Sequence, residues 1–156
     1  MLSRRHLRIK VLQAIYAFVQ SESVDLKKGD KTLLLSIEKI RELIIHQLSF
    51  LLEIKDFASN RIEENKKKFF PTEEDLNPNM RFVENRVLLQ IEDNRDYRKL
   101  HGKLKINWAD EQSVVRKAYL ELKGKAFYEK YMDSPESSYE HDRELLIKLV
   151  KKIMLD

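Results

Sequence analysis

Residues 31 to 68 contain neither glycine nor proline. Within them Leu33, Ile37, Ile40, Ile44, Leu48 and Leu51 recur at steps of four and three, and Leu34, Leu52 and Ile62 widen the stripe. That period is the apolar face of an α-helix. A helix from about Lys31 to Lys68 is roughly 55 Å long at ~1.5 Å per residue, so an interruption near Ser59-Asn60 is expected. Phe69-Phe70-Pro71 ends it, because the residue before a proline is pushed out of the α region. Three glycines and three prolines in the whole chain are too few for a turn-rich β fold. Charged residues make up 36%, well above the ~25% of an average domain. The expected fold is all-α: a helical bundle with a basic N-terminal helix, a long second helix and a C-terminal group of shorter helices.

The main break is Pro71 to Asn79, with a short capped turn at Thr72 to Asp75. It divides the chain into residues 1–70, which hold the basic helix and the long helix, a connection at 71–79, and a helical group at 80–156. Ser21 to Asp30 joins the first two helices, with Asp30 placed to cap the second. In the last group, Arg81 to Asn94 has a helical pattern and Tyr97 to Leu104 is ambiguous, with Gly102 inside it. Asn107-Trp108-Ala109-Asp110 reads as a turn that starts a helix through Leu122, bent or broken at Gly124. A short helix follows over Ala126 to Met132, and Ser137-x-x-Glu140 reads as a capping box for the last one. The apolar stripe of that helix is still running at Asp156, so the chain reads as the N-terminal part of a longer protein.

The charge is unevenly placed. The chain holds 30 basic and 26 acidic side chains, yet the segment before Glu22 has Arg4, Arg5, Arg8 and Lys10, with His6 among them, and no acid. Cations at a helix N-terminus oppose the macrodipole and cost ~0.3–1 kcal/mol each when exposed. A cluster kept there against the dipole points to a polyanion. The competing reading is a solvated face that keeps a small protein soluble. A third is an Arg-rich transit segment or a helix lying on an anionic membrane. A single serine, Ser3, before Ser21 and the absence of a cleavage site argue against it. The apolar residues Ile9, Leu12, Ile15, Tyr16 and Val19 form one face of this helix, on which Tyr16 is expected to pack, and Ser3 is its expected cap.

Other chemistry finds no support. There is no cysteine, so thiolate metal sites and disulfides are excluded. His6, His46, His101 and His141 lack metal-ligand spacing, and no glycine-rich phosphate loop or nucleophile elbow is present. Trp108, Tyr119, Phe127, Tyr128 and Tyr131 are of the kind that stack on bases, but at helical spacing they read as core. Lys66-Lys67-Lys68 suits the negative end of its helix. No enzyme activity, cofactor or metal is expected. No apolar run approaches the ~20 residues of a membrane span, and the chain reads as cytoplasmic.

The run Arg4-Arg5-x-x-Arg8 followed by Val11-Leu12-Gln13-Ala14-Ile15-Tyr16 resembles the first helix of the NusB family of transcription antitermination factors. Asn77-Pro78-Asn79 with Phe82-Val83 is similar to the long form of that family, whose strongest signature lies in a second helical subdomain not found here. The resemblance implies a non-enzymatic factor in transcription antitermination or termination. Its partners would be single-stranded, boxA-like RNA, the ribosomal protein NusE and the elongating RNA polymerase. RNA-binding residues would be Arg4, Arg5 and Arg8, with Lys10 and His6. The alternative is a helical protein-interaction module without RNA specificity, which requires an exposed apolar strip on the long or last helix. Self-association is left open.

Overall fold

The computed structural model describes residues 3–21 and 25–154. The protein is all-α: eight α-helices and no strand among the described residues. These are α1 (Arg4–Gln20), α2 (Leu26–Lys66), α3 (Glu73–Leu76), α4 (Arg86–Asp93), α5 (Arg95–Leu104), α6 (Gln112–Lys123), α7 (Ala126–Asp133) and α8 (Tyr139–Leu149). The chain divides into two compact units, Met1–Ile45 and His46–Asp156.

The first unit is built from α1 and the N-terminal part of α2. Ser3 caps α1 as expected, its hydroxyl accepting from the His6 amide. The helices meet where the Phe18 ring lies on Gly29, and a Cβ at position 29 would sit 3.1 Å from Phe18 Cδ2. A larger residue at this interior position, where glycine is otherwise unfavourable in a helix, would require the Phe18 ring to shift by a few tenths of an ångström. The α2 helix begins before Asp30, at Leu26, so Asp30 lies inside the helix instead of capping it. The expected connection at residues 21–30 is correspondingly shorter. Part of it, residues 22–24, lies outside the described residues.

The second unit holds the core. Residues 46 to 66 of α2 run unbroken through Ser59 and Asn60, and Leu51, Leu52, Ile54 and Ala58 are buried. The other helices bury Leu88, Val115, Leu122, Leu145 and Leu149. Tyr119, Tyr128 and Tyr131 are also buried, so these aromatics are core. Phe57 meets Tyr119 at 5.4 Å and Phe82 meets Tyr128 at 5.6 Å, both edge to face, a favourable arrangement of ring quadrupoles. Trp108 stacks against Phe50 and donates its indole N–H to Ser49 Oγ at 2.8 Å.

Several local details differ from expectation. The expected helix over Arg81 to Asn94 is shorter, because Asn85 turns its amide inward as the N-cap of α4. The ambiguous stretch from Tyr97 is helical: Asn94 caps it, accepting from the Tyr97 amide at 2.9 Å, and Tyr97 is buried. Ser138, not Ser137, caps α8, while Ser137 Oγ accepts from Arg86. The short capped turn expected at Thr72 to Asp75 forms, and the structure shows its cap to be a capping box.

Asn85 belongs to a buried polar network. Its Oδ1 accepts from the amides of Val87 and Leu88, and its Nδ2 donates to Tyr131 Oη and to the Asp142 carbonyl. Tyr131 Oη donates to Asp142 Oδ1 at 2.7 Å, and Asp142 Oδ2 accepts from the Arg86 amide. The Arg81 guanidinium lies 4.5 Å over the Tyr131 ring. Burial, with the Asp142 carboxylate beside it, pushes the Tyr131 hydroxyl up to about 12. Tyr128 is shifted in the same direction, chiefly by burial. A phenol whose folded-state pKa lies above its unfolded value stabilises the fold fully below pH 10 and loses that contribution as pH rises toward 12. Stability measured by urea unfolding should therefore fall by on the order of 2–3 kcal/mol between pH 9.5 and pH 12 through Tyr131 alone. A Tyr131→Phe variant should lose part of this pH dependence.

Candidate nucleic-acid interface

The site is built on α1. Arg5, Leu12 and Val19 are seven residues apart, with Arg8, Ile9, Ile15 and Tyr16 between them at three- and four-residue steps. All seven therefore share one side of the helix, and Arg4 lies at its edge, one turn from Arg8. The opposite side carries Leu7, Lys10, Ala14 and Phe18, the four half-buried residues of α1. Phe18 makes the contact with Gly29. A shallow cleft between the helices is lined by Ala14, Ala17, Phe18, Ser21, Lys28 and Thr32.

The apolar stripe expected to be the packing face is thus turned outward. No residue of α1 is buried, Leu12 is 70% exposed and Tyr16 is 67% exposed. The expectation that Tyr16 packs is incorrect here. The side toward α2 is the narrower row that holds Ala14 and Phe18, with the Phe18 ring on Gly29. The wider stripe is left on the surface.

The structure brings Arg4, Arg5 and Arg8 together, exposed, on the side of Tyr16. None of them forms an ion pair among the described residues. Lys10 stands apart, half-buried on the other side. His6 is turned to the cap, with Nδ1 2.9 Å from Ser3 Oγ. The face therefore presents three guanidinium groups with free donors, followed along the same helix by a row of aliphatic side chains and an exposed phenol, Tyr16, a little over two turns beyond Arg8. Such a face can hold phosphates bidentately through arginine and stack a base on tyrosine. The Lys66 and Lys68 ammonium groups, by contrast, are paired with Glu63 and Asp75, as a solvated helix end requires.

Other surfaces offer less. A groove of the second unit is lined by two bases, Arg61 and Lys123, and by four acids, Glu74, Asp75, Glu129 and Asp133, so it does not favour a polyanion. No cluster of metal-ligating side chains exists among the described residues, and no described helix is long and apolar enough to cross a membrane. No protein-family model matches the chain, and neither the search of curated proteins nor that of solved structures finds a match.

Proposed function

We propose that the chain is a single-stranded RNA-binding module that reads its ligand with the outward face of α1. One observation carries the reading: Arg4, Arg5 and Arg8 are gathered, exposed and unpaired on the same side as the exposed Tyr16. Arginine neutralises phosphates and Tyr16 stacks on an unpaired base, the mode by which single strands are recognised. By the resemblance to NusB, the RNA is a boxA-like element of a nascent transcript. The wider role is then transcription antitermination, with NusE and RNA polymerase as partners. The test is fluorescence anisotropy of a boxA-like RNA and a scrambled RNA at 50 and 200 mM salt. With three phosphate contacts, affinity should fall about 20-fold between those salts. The boxA-like strand should bind more tightly. No binding at 50 mM salt rejects the reading.

A second reading, a protein-docking surface, is favoured by the row Leu12, Ile15, Tyr16 and Val19 left open to solvent. The occupant this pattern fits is a second copy of the chain. The stripe is symmetric about Leu12: antiparallel two-fold pairing sets Leu12 on its own counterpart, Ile9 against Ile15 and Arg8 against Tyr16. It also keeps the two arginine clusters at opposite ends. Because the chain has no cysteine, Leu12→Cys introduces a single thiol. Self-pairing predicts a disulfide-linked dimer from Leu12→Cys and not from Leu34→Cys. A chain that sediments as a monomer at all concentrations, with no cross-link at position 12, removes this reading.

A further inference from the structure

The second unit carries another excess of positive charge. Residues 95 to 105 hold Arg95, Arg98, Lys99, Lys103 and Lys105 against the single acid Asp96. Apart from this segment and the first 21 residues, the chain holds 21 bases and 25 acids, so the cations are gathered on two short elements of an otherwise acidic chain. On α5, Tyr97 is buried and Leu100, His101 and Leu104 are half-buried, which fixes the inward side. Arg95, Lys99 and Lys103 stand on the opposite side, all exposed, at i, i+4 and i+8. One turn per step spaces them by roughly 6 Å along the axis. Arg98 is engaged by Asp93 and the Glu92 carbonyl. Arg95, Lys99, Lys103 and Lys105 make no ion pair among the described residues.

Two details of the backbone fit a surface against which a ligand lies. Gly102, between Lys99 and Lys103, has open space where a Cβ would stand, so packing does not demand a glycine there. Its absent side chain leaves the helix surface bare beside the cations. Lys105 has φ 51°, the only positive φ outside glycine among the described residues. It occupies the left-handed position that ends α5, where glycine is the ordinary choice. The chain therefore holds a cation in a conformation that favours glycine.

We infer that the α5 stripe of Arg95, Lys99 and Lys103, continued by Lys105, is a second contact for the phosphate backbone of single-stranded RNA. It is separate from the face of α1 and rests on the reading that RNA is the ligand. It is a sequence-independent contact, because cations at one-turn spacing neutralise phosphates and have no base-reading partner beside them.

The experiment is anisotropy of a labelled 20-nucleotide single-stranded RNA of mixed sequence with the full chain from 50 to 200 mM salt. It compares Arg95→Ala/Lys99→Ala/Lys103→Ala, Arg4→Ala/Arg5→Ala/Arg8→Ala, and a control that removes the same charge, Lys27→Ala/Lys31→Ala/Lys67→Ala. Circular dichroism checks that each variant keeps its helix content. The α5 variant should flatten the slope of log affinity against log salt by about 2, the loss of three single-strand phosphate contacts, and the control should change it little. If only the α1 variant weakens binding, or if the control matches the α5 variant, the second contact does not exist and the α1 reading stands. If only the α5 variant weakens binding, α5 holds the RNA and the α1 reading fails. If no variant changes the slope, or the wild-type chain does not bind, both fall.

Discussion

Reversing the charge of the α1 cluster, in Arg4→Glu/Arg5→Glu/Arg8→Glu, should lower the affinity for single-stranded RNA by two to three decades at 50 mM salt. The magnitude follows from counterion release: three single-strand contacts contribute a slope of about 2 in log affinity against log salt. Extrapolated from 1 M to 50 mM salt, that slope is worth roughly 500-fold. Repulsion by the new carboxylates adds to the loss. The fold should not suffer, because all three side chains are exposed and unpaired and the helix loses cations that oppose its dipole. Carboxylates in the first turn are favourable, so thermal stability should rise slightly. This opposition of effects separates a binding role from a structural one. Anisotropy and a thermal melt on the same sample check it. Retained binding, or a fall in both binding and melting temperature, contradicts the account.

The largest effect on stability is expected from Asn85→Ala. Asn85 is fully buried and its amide satisfies four groups: the Val87 and Leu88 amides, Tyr131 Oη and the Asp142 carbonyl. Loss of an N-cap costs ~1 kcal/mol, and each buried group left without a partner costs about 1–3 kcal/mol. The sum, about 3–5 kcal/mol after partial relaxation, is in the exceptional range for one substitution. Asn85→Asp keeps the cap acceptor but loses both donated bonds and sets a second carboxylate near the buried Asp142, so it should not rescue stability. Trp108 is the only tryptophan and lies in this unit. Urea unfolding followed by its fluorescence reads the loss directly. A change below about 1 kcal/mol would mean that the network is slack and that α4 is held by its apolar face alone.

The two substitutions also mark what was legible in the sequence. Period alone identified the helices, since α2, α6 and α8 carry apolar residues at three- and four-residue steps and few breakers. The helix expected over Arg81 to Asn94 begins only at Arg86, because the periodicity continues back through Asn85 whereas the short amide of Asn85 competes for the backbone and caps the helix there. The α5 helix was obscured by Gly102, a residue that weakens a helix in isolation, and it is held by the Asn94 cap and by burial of Tyr97. On α1 the apolar face was correctly located but its direction was not. An amphipathic pattern says which residues share a side and not which side a neighbour covers. The one sequence feature at the actual contact is Gly29, where the Phe18 ring lies close; a helical glycine by itself does not mark a contact, since Gly102 has open space around it. The cationic stripe of α5 was hidden by the same ambiguity: without a helix, Arg95, Lys99 and Lys103 have no common face.

The central claim is that RNA lies on the outward side of α1, and backbone amide shift mapping tests it most directly. Uniformly labelled protein is titrated with a six-nucleotide single-stranded RNA, short enough to occupy one contact. The account predicts progressive shifts at Arg5, Arg8, Leu12 and Tyr16, and much smaller ones at Ala14 and Phe18 on the opposite side. Shifts confined to other helices, or none at saturating RNA, contradict it.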